Sequence, residues 1–273
     1  MQQHESIDGI VVRVRDMANH DRYLSLLTAE RGRITLLSKG SHSLKGSQTA
    51  VSQLYTYGNF EFYRRGSFYI LKSGSPIHPF YALSMDIDRL NLAAYLCDVT
   101  YELTDEGEEA GDMLRLLLNA LYAVSTDRYP QLLIKAAFEL RAAILSGYAP
   151  DLSQCAVCGC RTAEVLYLDV MNGSIICTEC LQKRGKQAPV SSVYDDLREA
   201  EILSLLTPAA CAALRYVAEA PIERLFSFEL KDEEDAKLFS ACAQTYLLSH
   251  LGRGFDSLNF YHAMRQDTKG FTP

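Results

Sequence analysis

Cys155-Ala-Val-Cys-Gly-Cys-Arg-Thr-Ala-Glu-Val-Leu-Tyr-Leu-Asp-Val-Met-Asn-Gly-Ser-Ile-Ile-Cys-Thr-Glu-Cys180 holds two C-x-x-C knuckles, Cys155/Cys158 and Cys177/Cys180, with eighteen residues between them. That spacing is the one that closes a structural zinc site. Each knuckle aims two thiolates at one point, and a short hairpin between the knuckles gathers four sulfurs around one ion. The strand-like run 165–170 is followed by Asn172-Gly173, which takes φ > 0 readily, and by Ile175-Ile176, so the stretch reads as a zinc ribbon. Disulfides are the competing pairing. They are strained within C-x-x-C, no secretion signal is read at the N-terminus, and Cys97, Cys211 and Cys242 sit singly in apolar helical patterns as core residues. Cys160 is a fifth thiol, two residues after Cys158, that could substitute as a ligand, though Gly159 is better placed to complete the knuckle turn with Cys160 pointing away. Four thiolates close the coordination shell, so the expected Zn2+ is structural, and Glu179 lacks the H-x-E setting of a zinc deaminase.

Upstream of the ribbon the pattern changes period. Residues 1–80 alternate apolar and polar over 7–15, 22–28, 33–39, 54–63 and 68–73, with turn residues between: five short strands and no long helix. An OB-fold barrel is the commonest closure of five such strands. From Ser84 the spacing is helical, with helices expected over 84–103, 108–124 and 130–145. After a polar linker, 183–192, further helices are expected over 195–206, 208–218 (Thr207 cap, Pro208 first) and 232–251. The expected fold class is α+β: a barrel over 1–80, an all-helical domain over 81–150 and 186–273, and a zinc-ribbon insertion over 151–185. The acidic run 104–112 reads as a solvated interhelical loop.

The net charge of -7 is divided unevenly along the chain. Residues 1–80 carry ten Lys/Arg against six Asp/Glu, whereas 81–273 carry seventeen against twenty-eight. A polyanion partner would therefore meet the N-terminal barrel. Strand parity puts Ile10, Val12 and Val14 inside with Arg13 and Arg15 outside, and Ile34 and Leu36 inside with Arg33 and Lys39 outside. In the fourth strand Leu54, Phe60 and Phe62 are assigned to the core, leaving Tyr55, Tyr57 and Tyr63 outward. Arginines for phosphates and tyrosines for base stacking suit a single-stranded nucleic acid. No phosphate loop, dinucleotide fingerprint or zinc-protease motif is present, and no run is long and apolar enough for a membrane span.

Gly9-Ile-Val-Val-Arg13, Asp21-Arg22-Tyr-Leu-Ser-Leu-Leu27, Gly32-Arg33-Ile34, Lys39-Gly40, Phe138-Glu-Leu-Arg141, Gly147-Tyr-Ala-Pro-Asp-Leu152 and the two knuckles follow one another in an order that resembles the RecO family of bacterial recombination mediators. The resemblance runs on through Tyr246-Leu-Leu and His250-Leu-Gly-Arg253. It implies a non-enzymatic, cytoplasmic, nucleoid-associated DNA repair protein with an OB-fold and a zinc-bearing helical domain. Such a protein binds single- and double-stranded DNA and anneals complementary strands. With RecR, it helps load RecA onto strands coated by single-stranded-DNA-binding protein (SSB), and RecF and RecA are indirect partners. Arg13, Arg22, Arg33 and Lys39 fall at matching positions. The loop after Gly40, usually rich in cations, here offers Lys45 alone, which implies weaker or more salt-sensitive DNA binding. The resemblance also implies a site for the acidic, aromatic-ended SSB tail, assigned here to Lys135, Phe138 and Arg141. Family members differ in keeping the cysteines, so the metal is expected to be a staple. The rival reading is a protein-interaction adaptor whose barrel does not touch DNA.

Overall fold

The computed structural model describes residues 4–17, 21–39, 47–186 and 202–269. Five strands, β1 (His4–Asp16), β2 (Arg22–Thr28), β3 (Gly32–Ser38), β4 (Thr56–Arg65) and β5 (Phe68–Pro79), close into a barrel in the order β1-β2-β3-β5-β4. All pairs are antiparallel except β3 with β5, the parallel pair that closes the ring. The barrel core includes Val11, Leu26, Ile34, Leu36, Phe60 and Phe62, so the inward assignments of Ile34, Leu36, Phe60 and Phe62 hold. A short helix that the pattern did not suggest, α1 (Ser47–Val51), delivers the fully buried Val51 to that core.

Three inward assignments are corrected, those of Ile10, Val12 and Leu54. The β1 register shifts between Val11 and Arg13, a β-bulge. Beyond it Val14 packs on the core while Arg13 and Arg15 are exposed, as expected. Before it the faces are exchanged: Val11 is inside, and Ile10 and Val12 are buried on the outer side, where α2 (Ile87–Glu102) lies against β1. One inserted residue swaps every side chain on one side of it. Leu54 precedes β4 and is 39% exposed rather than in the core.

A 3-10 turn (Tyr81–Met85) leads into α2, whose cap is Asp86, accepting from the Arg89 N–H, and not Ser84. The acidic stretch between α2 and α3 (Gly111–Thr126) is not simply solvated. Its backbone is zipped onto the β2–β3 turn: the Arg33 N–H donates to Asp105 O, Gly107 N–H to Arg31 O, and Ala110 N–H to Ala29 O. Gly32 makes the approach possible. It sits at φ +57, and a Cβ there would lie 2.2 Å from the Asp105 carbonyl oxygen. A last helix, α8 (Asp256–Lys269), has no counterpart in the sequence reading and packs on α2. One compact unit comprises residues 1–128 with 255–273, and the other residues 129–254.

In the second unit α4 (Gln131–Leu145) packs on α7 (Glu233–Leu251), with α6 (Pro208–Glu219) against both. Thr207 caps α6 with Pro208 in its first turn, Asp232 caps α7, and Gly252 ends α7 in the left-handed region, as the sequence suggests. Four short strands form a second sheet in the order β6-β8-β7-β9: β6 (Asp151–Cys155), β7 (Leu166–Asp169), β8 (Ser174–Cys177) and β9 (Leu203–Leu206). The helix expected over 195–206 is corrected where it is described. Residues 195–201 lie outside the described residues, and 203–206 are β9, paired antiparallel with β7. Leu206 is buried and Leu205 exposed, the alternation of a strand that finds an open edge. Among the described residues no helix is long and apolar enough to cross a membrane.

Candidate functional site

The four knuckle cysteines meet. Cys155 ends β6, Cys158 follows in the turn, Cys177 ends β8, and Cys180 lies in α5 (Thr178–Lys186). The β7–β8 hairpin, turning through Gly173 at φ +59, brings the knuckles together. Their sulfurs all lie within 4.8 Å of one another, and Cys158 Sγ is 3.8 Å from Cys177 Sγ. Four thiolates about 2.3 Å from a central ion would stand about 3.8 Å apart, so the donor set suits tetrahedral Zn2+. Burial pushes the Cys155 thiol up, but backbone N–H groups of Cys158, Cys177 and Val157 outweigh it and hold the group at about 6. A sulfur already surrounded by N–H donors is prepared to be a thiolate.

The barrel cations assigned to DNA from the sequence separate, where they are described, into two sets. Arg13 and Arg33 both lie over the ring of Tyr101 in α2, at 3.8 and 3.9 Å from its centroid. Two guanidinium groups that close to one centroid must take opposite faces, so the ring is sandwiched. Arg13 also pairs with Asp98 at 3.1 Å, while Arg33 donates to the Tyr101 carbonyl oxygen and faces Asp105. These two cations tie the barrel to α2, and of the two Arg13 keeps the larger accessible share, 48% of its side chain against 24% for Arg33. The sequence reading missed Tyr101 because nothing in strand parity says what covers a strand. Tyr101→Leu is expected to cost about 1–2 kcal/mol, from two cation–π interactions at about 0.5–1 each, in urea unfolding followed by circular dichroism, with Tyr101→Phe milder.

The second set lies at the other end of the hairpin. Arg15 and Lys39 are exposed, and Arg22 is hydrogen-bonded to Asp16 at 2.6 Å. The register sets Arg15 opposite Tyr23 and Arg22 opposite Ser38, so the end of β1, the start of β2 and the end of β3 gather these cations. Lys45 lies outside the described residues. The tyrosines are elsewhere. Tyr55 is a correction: it is 5% exposed, with φ 62, its N–H donating to Val11 O, and burial pushes its hydroxyl up. Tyr57 is half-buried opposite Ile10, and its hydroxyl is raised by burial and by Asp8 and Glu30, so its charged neighbours are acidic.

The tail-binding assignment to Lys135, Phe138 and Arg141 is also corrected. Lys135 and Phe138 are fully buried in α4. Lys135 Nζ lies 2.8 Å from Glu139 Oε1 and donates to Gln244 Oε1 of α7 at 2.8 Å. Arg141 donates to the carbonyl oxygens of Val217 and Ala220, and burial pulls its pKa down. What looked like cations beside an apolar groove is an internal network joining α4 to α6 and α7.

Known proteins agree with this architecture. The family model described as Recombination protein O N terminal matches residues 1–80, and the one described as Recombination protein O C terminal matches residues 84–193. A DNA repair protein RecO of Acetivibrio thermocellus is 28% identical over 253 residues, covering 92% of this chain and 94% of its own. One of Clostridium acetobutylicum is 24% identical over 252 residues, covering 92% and 91%. One of Alkaliphilus metalliredigens is 30% identical over 173 residues, covering 63% and 70%. The two models meet near the end of β5, where the barrel gives way to helices, and together they place the chain in the RecO family of DNA repair proteins.

Proposed function

We propose that the protein is a non-catalytic mediator that captures single- and double-stranded DNA on its barrel, aligns complementary strands so that they anneal, and with RecR assists RecA onto SSB-coated DNA. The observation that carries the DNA role is the division of charge along the β2–β3 hairpin. Arg15 and Lys39 are exposed at one end, beside an Arg22 that is paired with Asp16, while the 104–112 stretch, with its Asp and Glu side chains, is tied to the other, where Arg31 and Arg33 are paired with Glu5 and Asp105, about 20 Å away along seven-residue strands. Phosphates are repelled from the turn end and drawn to the opposite one. The barrel cations therefore act on DNA by place rather than by number. Zn2+ held by Cys155, Cys158, Cys177 and Cys180 contributes a cross-link within the second unit and no chemistry.

Anisotropy titrations of labelled single strands across salt concentrations test this. Removing one cation that neutralises a phosphate lowers the slope of log affinity against log salt by about 0.7, so Arg15→Ala with Lys39→Ala is expected to lower it by about 1.4. Arg33→Ala is expected to leave the slope unchanged and reduce stability, because its guanidinium is committed to Tyr101. An unchanged slope in the Arg15/Lys39 variant would remove the DNA surface assigned here and favour an adaptor that meets proteins only.

A further inference from the structure

We infer that Cys160 is a reserve metal ligand, able to take the place of Cys158 in the four-sulfur centre; this rests on the reading of that centre as a metal site. The four donors are not equivalent. Cys155, Cys177 and Cys180 are buried at 1, 3 and 6% exposure, while Cys158 is exposed. The Cys158 sulfur is the one that water, competing thiols and alkylating agents reach first.

The fifth thiol stands beside that weak point, not turned away from it as the sequence suggested. Gly159, at φ +72, bends the chain back. The Gly159 N–H donates to Cys155 O at 2.9 Å, and the Cys160 carbonyl oxygen accepts from the Cys155 N–H at 2.8 Å. These two bonds pin the backbone of Cys160 to the knuckle. Cys160 lines the same surface cavity as Cys158 and Cys177. The cavity is open, about 390 Å³, and lined by Glu179 as well, so the thiols have room to move. Cys160 is nevertheless outside the set of four whose sulfurs are mutually within 4.8 Å. It stands beside the four-sulfur group without belonging to it. Exchange needs only side-chain rotation on a backbone that is already fixed, and Cys158 is the donor that stands two residues from Cys160; Cys97, Cys211 and Cys242 are buried in helices elsewhere.

Cobalt titration of the full chain, read by thiolate charge-transfer and ligand-field absorption, with zinc affinity from competition against a chromophoric chelator, tests the inference. Cys160→Ala is expected to match the wild type. Cys158→Ala is expected to keep a four-thiolate cobalt spectrum and zinc affinity within about 10-fold. The Cys158→Ala/Cys160→Ala protein is expected to show a three-thiolate spectrum and lose at least about 100-fold, since loss of an outer-shell partner alone costs 10–100-fold. With metal in saturating excess, both variants should give the wild-type far-ultraviolet circular dichroism, which keeps a loss of affinity distinct from a loss of fold. A Cys158→Ala protein that binds as weakly as the double variant would overturn the inference while leaving the metal centre standing. A wild-type chain that takes up neither cobalt nor zinc would overturn the centre and the reserve ligand together.

Discussion

Stripping the metal with a strong chelator at neutral pH is expected to dissolve the β6-β8-β7-β9 sheet and leave the barrel folded. The strands of that sheet are four or five residues long, too short to hold a sheet by pairing alone. With zinc bound as proposed, what fixes them is a cross-link from β6 to β8 and α5 through the four cysteines. In small zinc modules the binding free energy, about 10–16 kcal/mol, is folding free energy. Hydrogen exchange resolved by peptide is the measurement. Amides of Leu166–Asp169 and Ser174–Cys177 should lose protection on chelation, while those of β1 to β5 keep theirs. Cys155→Ala should reproduce the effect without chelator, because its sulfur also accepts from the Cys177 N–H at 3.4 Å. Full protection of the hairpin in metal-free protein would show that the sheet does not need the ion.

The second large effect is expected inside α4. Lys135 and Glu139 are both wholly inaccessible, one helical turn apart, with Nζ–O distances of 2.8 and 3.0 Å. Replacing either one alone leaves a buried charge with nothing to balance it, which costs about 3–5 kcal/mol. Replacing both with apolar residues of similar size, Lys135→Met with Glu139→Leu, removes the desolvation cost along with the attraction and should land within about 2 kcal/mol of the wild type. Urea unfolding followed by far-ultraviolet circular dichroism is the readout, the chain having no tryptophan. Two single variants as stable as the wild type would mean that water reaches the pair. An equal loss in the double variant would mean that the pair, and not merely its balance, holds α4 to Gln244 of α7.

The difference between what the chain announces and what it conceals follows the range of the forces involved. Knuckles, hairpin turn and caps are local: Cys155 and Cys158 share one turn, Asn172-Gly173 can do little else, and Thr207-Pro208 or Asp232 satisfy N–H groups within three residues. Those features were legible, as was the five-strand barrel. Faces were not. A bulge at Val12 leaves no mark on composition yet exchanges Ile10 with Val11, and a left-handed Tyr55 just before β4 is set by bonds to Val11 and Phe80 from outside its own segment. Lys135 resembled a surface cation because its partner Glu139 has the same spacing as a solvated helical pair. Leu203–Leu206 read as the end of a helix over 195–206 and are a strand because β7 offers an unpaired edge. Helix α8 has few apolar residues, and Leu258 and Tyr261 are buried only because α2 is there to receive them. The Arg13–Tyr101–Arg33 sandwich was illegible for the same reason.

The return of α8 to α2 also sets a timetable for the growing chain. Phe255, which meets Tyr95 edge to face, is 153 positions beyond the end of α2. At about 5–20 residues per second, the ribosome delivers it roughly 8–30 s after α2 is made, long after a small barrel can close. During that interval the face of α2 that will receive α8 has no cover, and the second unit is synthesised in full. The unit that begins the chain is thus the last to be completed, so that a nascent chain halted before Phe255 would present apolar surface to chaperones and proteases while its barrel and metal ribbon were already formed.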